Sequence, residues 1–339
     1  MATIDDVARK AGVSKGTVSS VFSKKRPISQ QVTERVLEVA KELGYFPNHI
    51  ARSLSIKKTM IAGLRIPLSS DGTMSAFDSQ MINGVIKECS KQGYRVLLDT
   101  LPEQDDPTLF SQDPVDGIIM LNPRKNDTRI GRYNQMGIPL VLVGRPDPLD
   151  DSISYVDNNN TEAAYQVGDY LLRSGHKSVL FLNASSDMTV AYDRKNGLME
   201  AFRHHGLPFS EEHVMHYNRK LHVSGTEYGY MSIMDTFEAM NYSAVITDTD
   251  RVALGVLRAA RELGIEVPER LSVIALSNDA TLAQEINPKL TSVELSADLL
   301  GAEAAKLLIE KMNDMSMNRQ VIIHAKLVVR ESCSTQNSS

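Results

Sequence analysis

Two rhythms of apolar residues divide this chain. Up to residue 46 they recur at helical spacing, with Ile4, Val7, Ala8 and Ala11 on one stripe and Val32, Val36, Val39, Ala40 and Leu43 on another. Thr3 and Asp6 suit a helix start, and Ser14 suits the cap of a second helix over 15–22. Ser29 suits the cap of a third over 30–43, with Gly44 as its stop. Ala8 permits close approach of the second helix, Gly12 tolerates the positive φ of a tight turn, and Val18 fills the wedge between them. Residues 47–59 break the rhythm, and the short helix that Pro47 could open is too brief to be stable alone. From Met60 onward, short apolar runs predict strands at 61–66, 94–99, 117–121, 140–144, 179–183, 244–247 and 273–276. Helix-period segments at 80–92, 162–174, 196–205, 251–263 and 297–312 lie between them. That alternation predicts parallel sheets covered by helices on both faces. The expected class is α/β, carrying an all-α helix-turn-helix headpiece at its N-terminus.

Charge sharpens the division. Residues 1–59 hold eleven Lys or Arg against five Asp or Glu, a net of +6, whereas the whole chain is −5 and the remainder therefore −11. A basic module on an acidic body suits a chain whose one end meets phosphates. The 280 residues after the headpiece suffice for two subdomains. No apolar run reaches the length of a membrane span and no secretory leader is visible, so a cytoplasmic location is expected. Two cysteines, Cys89 and Cys333, suggest no disulfide framework. With no Trp and 6% aromatic residues, the core should rest on aliphatic side chains and Met.

Specific runs then carry a resemblance. TIDDVARKAGVS at 3–14, TVS at 17–19, GYFPN at 44–48 and ARSL at 51–54 closely resemble the lactose/galactose repressor (LacI/GalR) family. The likeness covers essentially the whole chain and is strong again at 252–268 and 327–332. It implies a helix-turn-helix headpiece over 1–46, a hinge helix and linker over 47–59, and an effector-binding and dimerisation domain over 60–332. The tail at 333–339 reads as polar. The large domain would resemble periplasmic sugar-binding proteins, with subdomains at about 60–157 plus 296–323 and about 158–290 plus 326–332. Crossovers would fall near 158–160, 290–295 and 324–328.

The same resemblance places the second helix in the major groove, with Lys15, Gly16 and Ser20 at base-reading positions. Arg is usual where Ser20 stands, so bidentate guanine recognition is lost there and Lys15 becomes the main base-contact candidate. Thr3, Ser14, Thr17 and Ser19 have short hydroxyls that suit either phosphate contacts or helix caps. Asn48, Ala51 and Leu54 would belong to a hinge that folds only when two subunits pair on operator DNA. There Leu54 acts as a minor-groove wedge, the alternative being that it packs on the large domain.

Ligands of parallel α/β sheets sit at the carboxyl ends of strands. Arg194, in the spacing Arg194-x-x-Gly197, matches the family's effector-holding Arg, although a helix surface would also accommodate it. Asp250 follows the strand at 244–247 and suits either ligand hydroxyls or a helix cap. Asn278 and Asp279 follow the next strand in an ambiguous register. Phe77, ahead of the helix expected at 80, is a candidate platform for a sugar ring, with core packing as the alternative. The span 100–114 is short for the helix usual there.

Other chemistry is not supported by spacing. His213 and His216 would flank a strand near Val214 on opposite faces with no Cys nearby, so no metal site is expected. No Gly-rich phosphate loop is present, and Asp248 with Asp250 lacks a nucleophile, so neither cofactor nor catalysis is expected. The expectation is a repressor acting as a homodimer on a near-palindromic operator, controlled by a sugar, polyol or related metabolite. One branch of the family instead uses a phosphorylated protein corepressor. A solute-binding protein or enzyme with a vestigial headpiece is the distant alternative.

Overall fold

In a computed structural model the chain is described over residues 2–23, 26–45, 58–66, 73–100, 115–277 and 279–335. It forms two bodies, Met1–Met60 and Ile61–Ser339. The hinge candidates Asn48, Ala51 and Leu54, the pocket candidate Asn278 and the span 101–114 lie outside the described residues.

The first body contains α1 (Ile4–Ala11), α2 (Lys15–Ser23) and α3 (Gln30–Glu42). Its core is the stripe that the apolar rhythm marks: Val7, Ala8, Ala11, Val18, Val21, Val36, Val39 and Ala40. Gly12 ends α1 at φ 64°, a left-handed conformation that glycine adopts without a Cβ penalty. Thr3 and Asp6 cap α1 reciprocally. Ser29 stands at the N-cap of α3, but its side chain makes no capping bond.

The second body has two six-stranded sheets. The first consists of β1 (Ile61–Arg65), β2 (Arg95–Asp99), β3 (Gly117–Leu121), β4 (Leu140–Val143), β5 (Ser154–Asn158) and β11 (Gln320–Ile323), in the order β11-β5-β4-β3-β1-β2. All its pairings are parallel. The second consists of β6 (Val179–Asn183), β7 (Val214–His216), β8 (Ala244–Thr247), β9 (Ser272–Ala275), β10 (Thr291–Glu294) and β12 (Lys326–Val328), in the order β12-β10-β9-β8-β6-β7. It is parallel except where β12 runs against β10. The central strands β3, β4, β6, β8 and β9 are buried throughout, as sheets covered on both faces require.

Helices pack in pairs beside the sheets. These are α4 (Ala76–Lys91) with α11 (Ala297–Asn313), α6 (Asn160–Arg173) with α7 (Thr189–His204), and α8 (Gly225–Thr236) with α9 (Asp250–Glu262). Two shorter helices, α5 (Thr128–Gln135) and α10 (Ala280–Glu285), complete the set among the described residues. The chain passes from the first sheet to the second between β5 and α6, returns between β10 and α11, and passes again between β11 and β12.

Two helix starts differ from the periodicity and both bear on function. α4 begins at Ala76 rather than 80, because Ser75 and Asp78 form a reciprocal capping box that fixes an earlier first turn. Phe77 therefore lies inside the helix rather than before it. α7 begins at Thr189 rather than 196, which puts Arg194 within the helix. Gly197, one turn further, lets α7 lie against α6: a Cβ there would stand 2.0 Å from the carbonyl oxygen of Thr161.

Candidate functional site

In the headpiece, Lys15, Gly16 and Ser19 are exposed at the start of α2, and Ser20 is half-buried beside them. These positions share a face opposite the buried Val18 and Val21. Ser14 accepts the Thr17 amide at 3.1 Å and its hydroxyl lies 2.9 Å from that of Thr17, so both side chains are engaged in capping α2. Thr3 likewise accepts from the Asp6 amide at 3.3 Å and donates to its carboxylate at 2.7 Å. The Thr3 amide, 3.0 Å from that carboxylate, contributes most to holding the Asp6 carboxyl below its ordinary range. Lys15 forms an exposed 2.6 Å ion pair with Asp5. Such a pair is worth about 1 kcal/mol or less, so a base edge or phosphate can compete for the ammonium.

In the large body, the carboxyl ends of both sheets line one cleft. Asn122 follows β3, Gly144 follows β4, and Asp157 and Asn158 end β5. From the other sheet come Asn183 at the end of β6, Tyr217 after β7, Asp248 after β8 and Ser277 after β9. The cavity they enclose measures about 290 Å³. A cleft at strand carboxyl ends, mixing apolar walls with convergent polar groups, is the usual form of a small-molecule site.

Arg194, Phe77 and Asp250, three of the sequence candidates, line this cleft. Arg194 is buried, and most of its fork is already engaged. Its Nε donates to Asn160 Oδ1 at 3.3 Å, Nη1 to the carbonyl and carboxylate of Asp248, and Nη2 to the Leu276 carbonyl at 3.2 Å. Four of its five N–H groups thus have protein acceptors. The Nη1 edge of the guanidinium is thus held by Asp248. Burial pushes the Asp248 carboxyl up, against the pull of Arg194.

Asp250 is the first residue of α9, where Thr249 supplies the cap. Its two oxygens accept the amides of Asp279 and Arg251, each at 2.8 Å, so it ties two loops together at the rim. Burial is the main cause that raises its carboxyl, those amides opposing it. Asp279 does not line the cleft; its side chain caps α10 through the amides of Thr281 and Leu282. Phe77 packs against a core cluster that includes Leu276 and Leu295 and also lines the cavity.

Spacing alone missed the groups that join the two sheets across the cleft. Arg145, after β4, forms a two-pronged ion pair with Asp193 of α7, its Nε 2.6 Å from Oδ2. Arg124, after β3, pairs with Asp187. Arg251 of α9 reaches Thr73 Oγ1 at 2.7 Å and the Met74 carbonyl at 3.3 Å. Beside the first of these, Asp157 accepts the amides of Asn158 and Arg145 and the Asn160 side chain. Burial, reinforced by Asp193, pushes its carboxyl up to about 7.

A helix-turn-helix body joined to a two-sheet body with a polar cleft defines a DNA-binding regulator with an effector-binding core. The comparisons agree. Residues 3–48 match "Bacterial regulatory proteins, lacI family", and residues 169–333 match "Periplasmic binding protein-like domain". The HTH-type transcriptional repressor PurR of Pasteurella multocida is 30% identical over 98% of this chain and 98% of its own. Catabolite control protein A of Staphylococcus epidermidis is 31% identical over 97% of this chain and 98% of its own. A solved transcriptional regulator CelR–cellobiose complex superposes with a TM-score of 0.74 at 27% identity, over 98% of this chain and 100% of that one. The chain belongs to the lacI family of bacterial transcriptional regulators, and these relatives are regulators rather than enzymes. No helix among the described residues is long and apolar enough to cross a membrane.

Proposed function

We propose that the protein is a cytoplasmic repressor that binds a near-palindromic operator as a homodimer and releases or tightens on it when a neutral sugar or polyol enters the cleft. The cleft carries this reading. It lies between the carboxyl ends of two sheets, it is lined by amides, hydroxyls and carboxylates, and Phe77 supplies an apolar face against which a ring can lie. A ligand touching both sheets changes the balance between their relative positions. In the headpiece, α2 presents Lys15, Gly16, Ser19 and Ser20 to the groove, while Thr3, Ser14 and Thr17 reach phosphates where their caps allow. The solved CelR–cellobiose complex supports a carbohydrate-type effector.

A thermal-shift screen of sugars, polyols and charged metabolites tests the effector class, because a ligand that binds the folded state raises its melting temperature. The reading expects a neutral hydroxylated compound among those that raise it. A screen in which only anions or nucleobases do so would overturn that class.

A further inference from the structure

One polar group in the cleft wall has no partner among the described residues. Tyr228, in the first turns of α8, lines the cavity and is fully buried. Its hydroxyl meets neither solvent nor any hydrogen-bond partner among the described residues. Leaving such a group unsatisfied costs about 1–3 kcal/mol, so an orphaned hydroxyl in a binding cleft calls for an explanation. The ring itself is firmly placed: Tyr217 meets it edge-on at 5.7 Å and His222 packs against it at 4.7 Å. The Tyr217 hydroxyl in turn donates to the His222 carbonyl at 3.2 Å. These neighbours fix the direction of the phenol while giving it no acceptor.

The charges around it limit what can satisfy it. Asp78, Asp157, Asp248 and Asp250 line the cleft against Arg194, Arg219 and Arg251. Arg194 is committed to Asp248, Arg251 to Thr73 and Met74, and Arg219 is also engaged. Four carboxyls against three guanidiniums give the wall no excess of positive charge to hold a phosphate or a sugar acid. Aromatic surface from Phe77, Tyr217 and Tyr228 favours a ring.

We infer that Tyr228 is a specificity-determining residue of the effector site, and that its hydroxyl, closed to solvent in the arrangement described, is uncovered by a small shift of the cleft wall and donates to an oxygen of a neutral, hydroxylated ring. The inference rests on the proposed effector reading and goes further by naming the contact. Burial and the nearby Asp248 push the phenol well above its ordinary range, so it remains a hydroxyl donor at any working pH. A ligand lacking an acceptor at that point would leave the hydroxyl orphaned. A matching one removes an existing penalty as well as gaining a bond.

The test compares the full chain with Tyr228→Phe, using glucose, galactose, cellobiose, ribose and myo-inositol as neutral probes and glucose 6-phosphate and glucuronate as anionic ones. Calorimetry should show that the wild type binds at least one neutral probe and that Tyr228→Phe binds it at least tenfold more weakly. Without ligand the variant should melt at the same temperature or higher, because it loses a hydroxyl that had no partner. Equal affinity in the two proteins would overturn the contact while leaving the effector reading intact. A lower melting temperature for the unliganded variant would mean that the hydroxyl is structurally satisfied, and would overturn it too. Binding of anions alone would refute the ligand class. Binding of no probe would remove that effector class, and the Tyr228 contact with it.

Discussion

Arg194 connects three parts of the chain: Asn160 at the start of α6, Asp248 after β8 and Leu276 after β9. Its truncation therefore does more than weaken ligand binding. Arg194→Ala leaves Asp248 in the cleft wall without its counter-charge, a change that costs about 3 kcal/mol at sites of this kind. Chemical denaturation should show that loss alongside reduced effector affinity; an unchanged midpoint would mean that the pair contributes nothing in solution. Asp157 gives a pH dependence of definite sign. Its carboxyl is pushed up to about 7 in the folded chain, from an ordinary value near 3.8. Its contribution to stability is therefore complete below the lower value and is lost as pH rises through the upper one. The melting temperature of Asp157→Asn relative to wild type should accordingly move in the variant's favour between about pH 5 and about pH 8. This holds whatever the constant offset from altered hydrogen bonds. A pH-independent difference would show that Asp157 ionises normally.

At the scale of the elements, α2 is short, lightly apolar and positioned by Gly12 and by the packing of Val18 and Val21. Its exposed face offers one long cationic side chain, Lys15, and otherwise small residues. Ser20→Arg restores a guanidinium that can fork onto guanine, worth about 1–3 kcal/mol of discrimination at one base pair. Selection from random DNA should return a different preferred site for the variant, with overall affinity changed less than preference. The same site for both proteins would remove Ser20 from the reading face. Helices and strands with clean periodicity were legible in the sequence, including α1, α3, β3, β6 and β8. α7 was legible only from residue 196, because its buried stripe runs Ala191, Arg194, Leu198, Ala201 and Phe202, and the guanidinium stands where an apolar residue would signal the period. The buried guanidinium itself hid the start of its helix. Likewise α5 buries only Arg129, Ile130 and Tyr133, and β7 and β12 are three-residue edge strands too short to show alternation. The cross-cleft pairs were illegible for another reason. Arg145 and Asp193 lie 48 positions apart, and only the facing of two sheets brings them together.

Over the whole molecule, the two sheets share one cleft and ion pairs cross it. Arg124–Asp187 and Arg145–Asp193 favour the arrangement described here. A ligand with different affinity for another arrangement shifts the population toward the one it prefers. The basic headpiece, +6 over 1–59 against −11 for the rest, makes DNA affinity depend on salt, so affinities are comparable only at one ionic strength. In the proposed function the cleft and the headpiece are energetically coupled. The most direct measurement is the affinity of the full chain for an operator selected from random DNA, by fluorescence anisotropy at fixed salt. It is made with and without a saturating amount of the compound that gives the largest thermal shift. Coupling of the usual size changes the operator Kd by roughly 5- to 150-fold. The same Kd in the presence and absence of saturating ligand would contradict it.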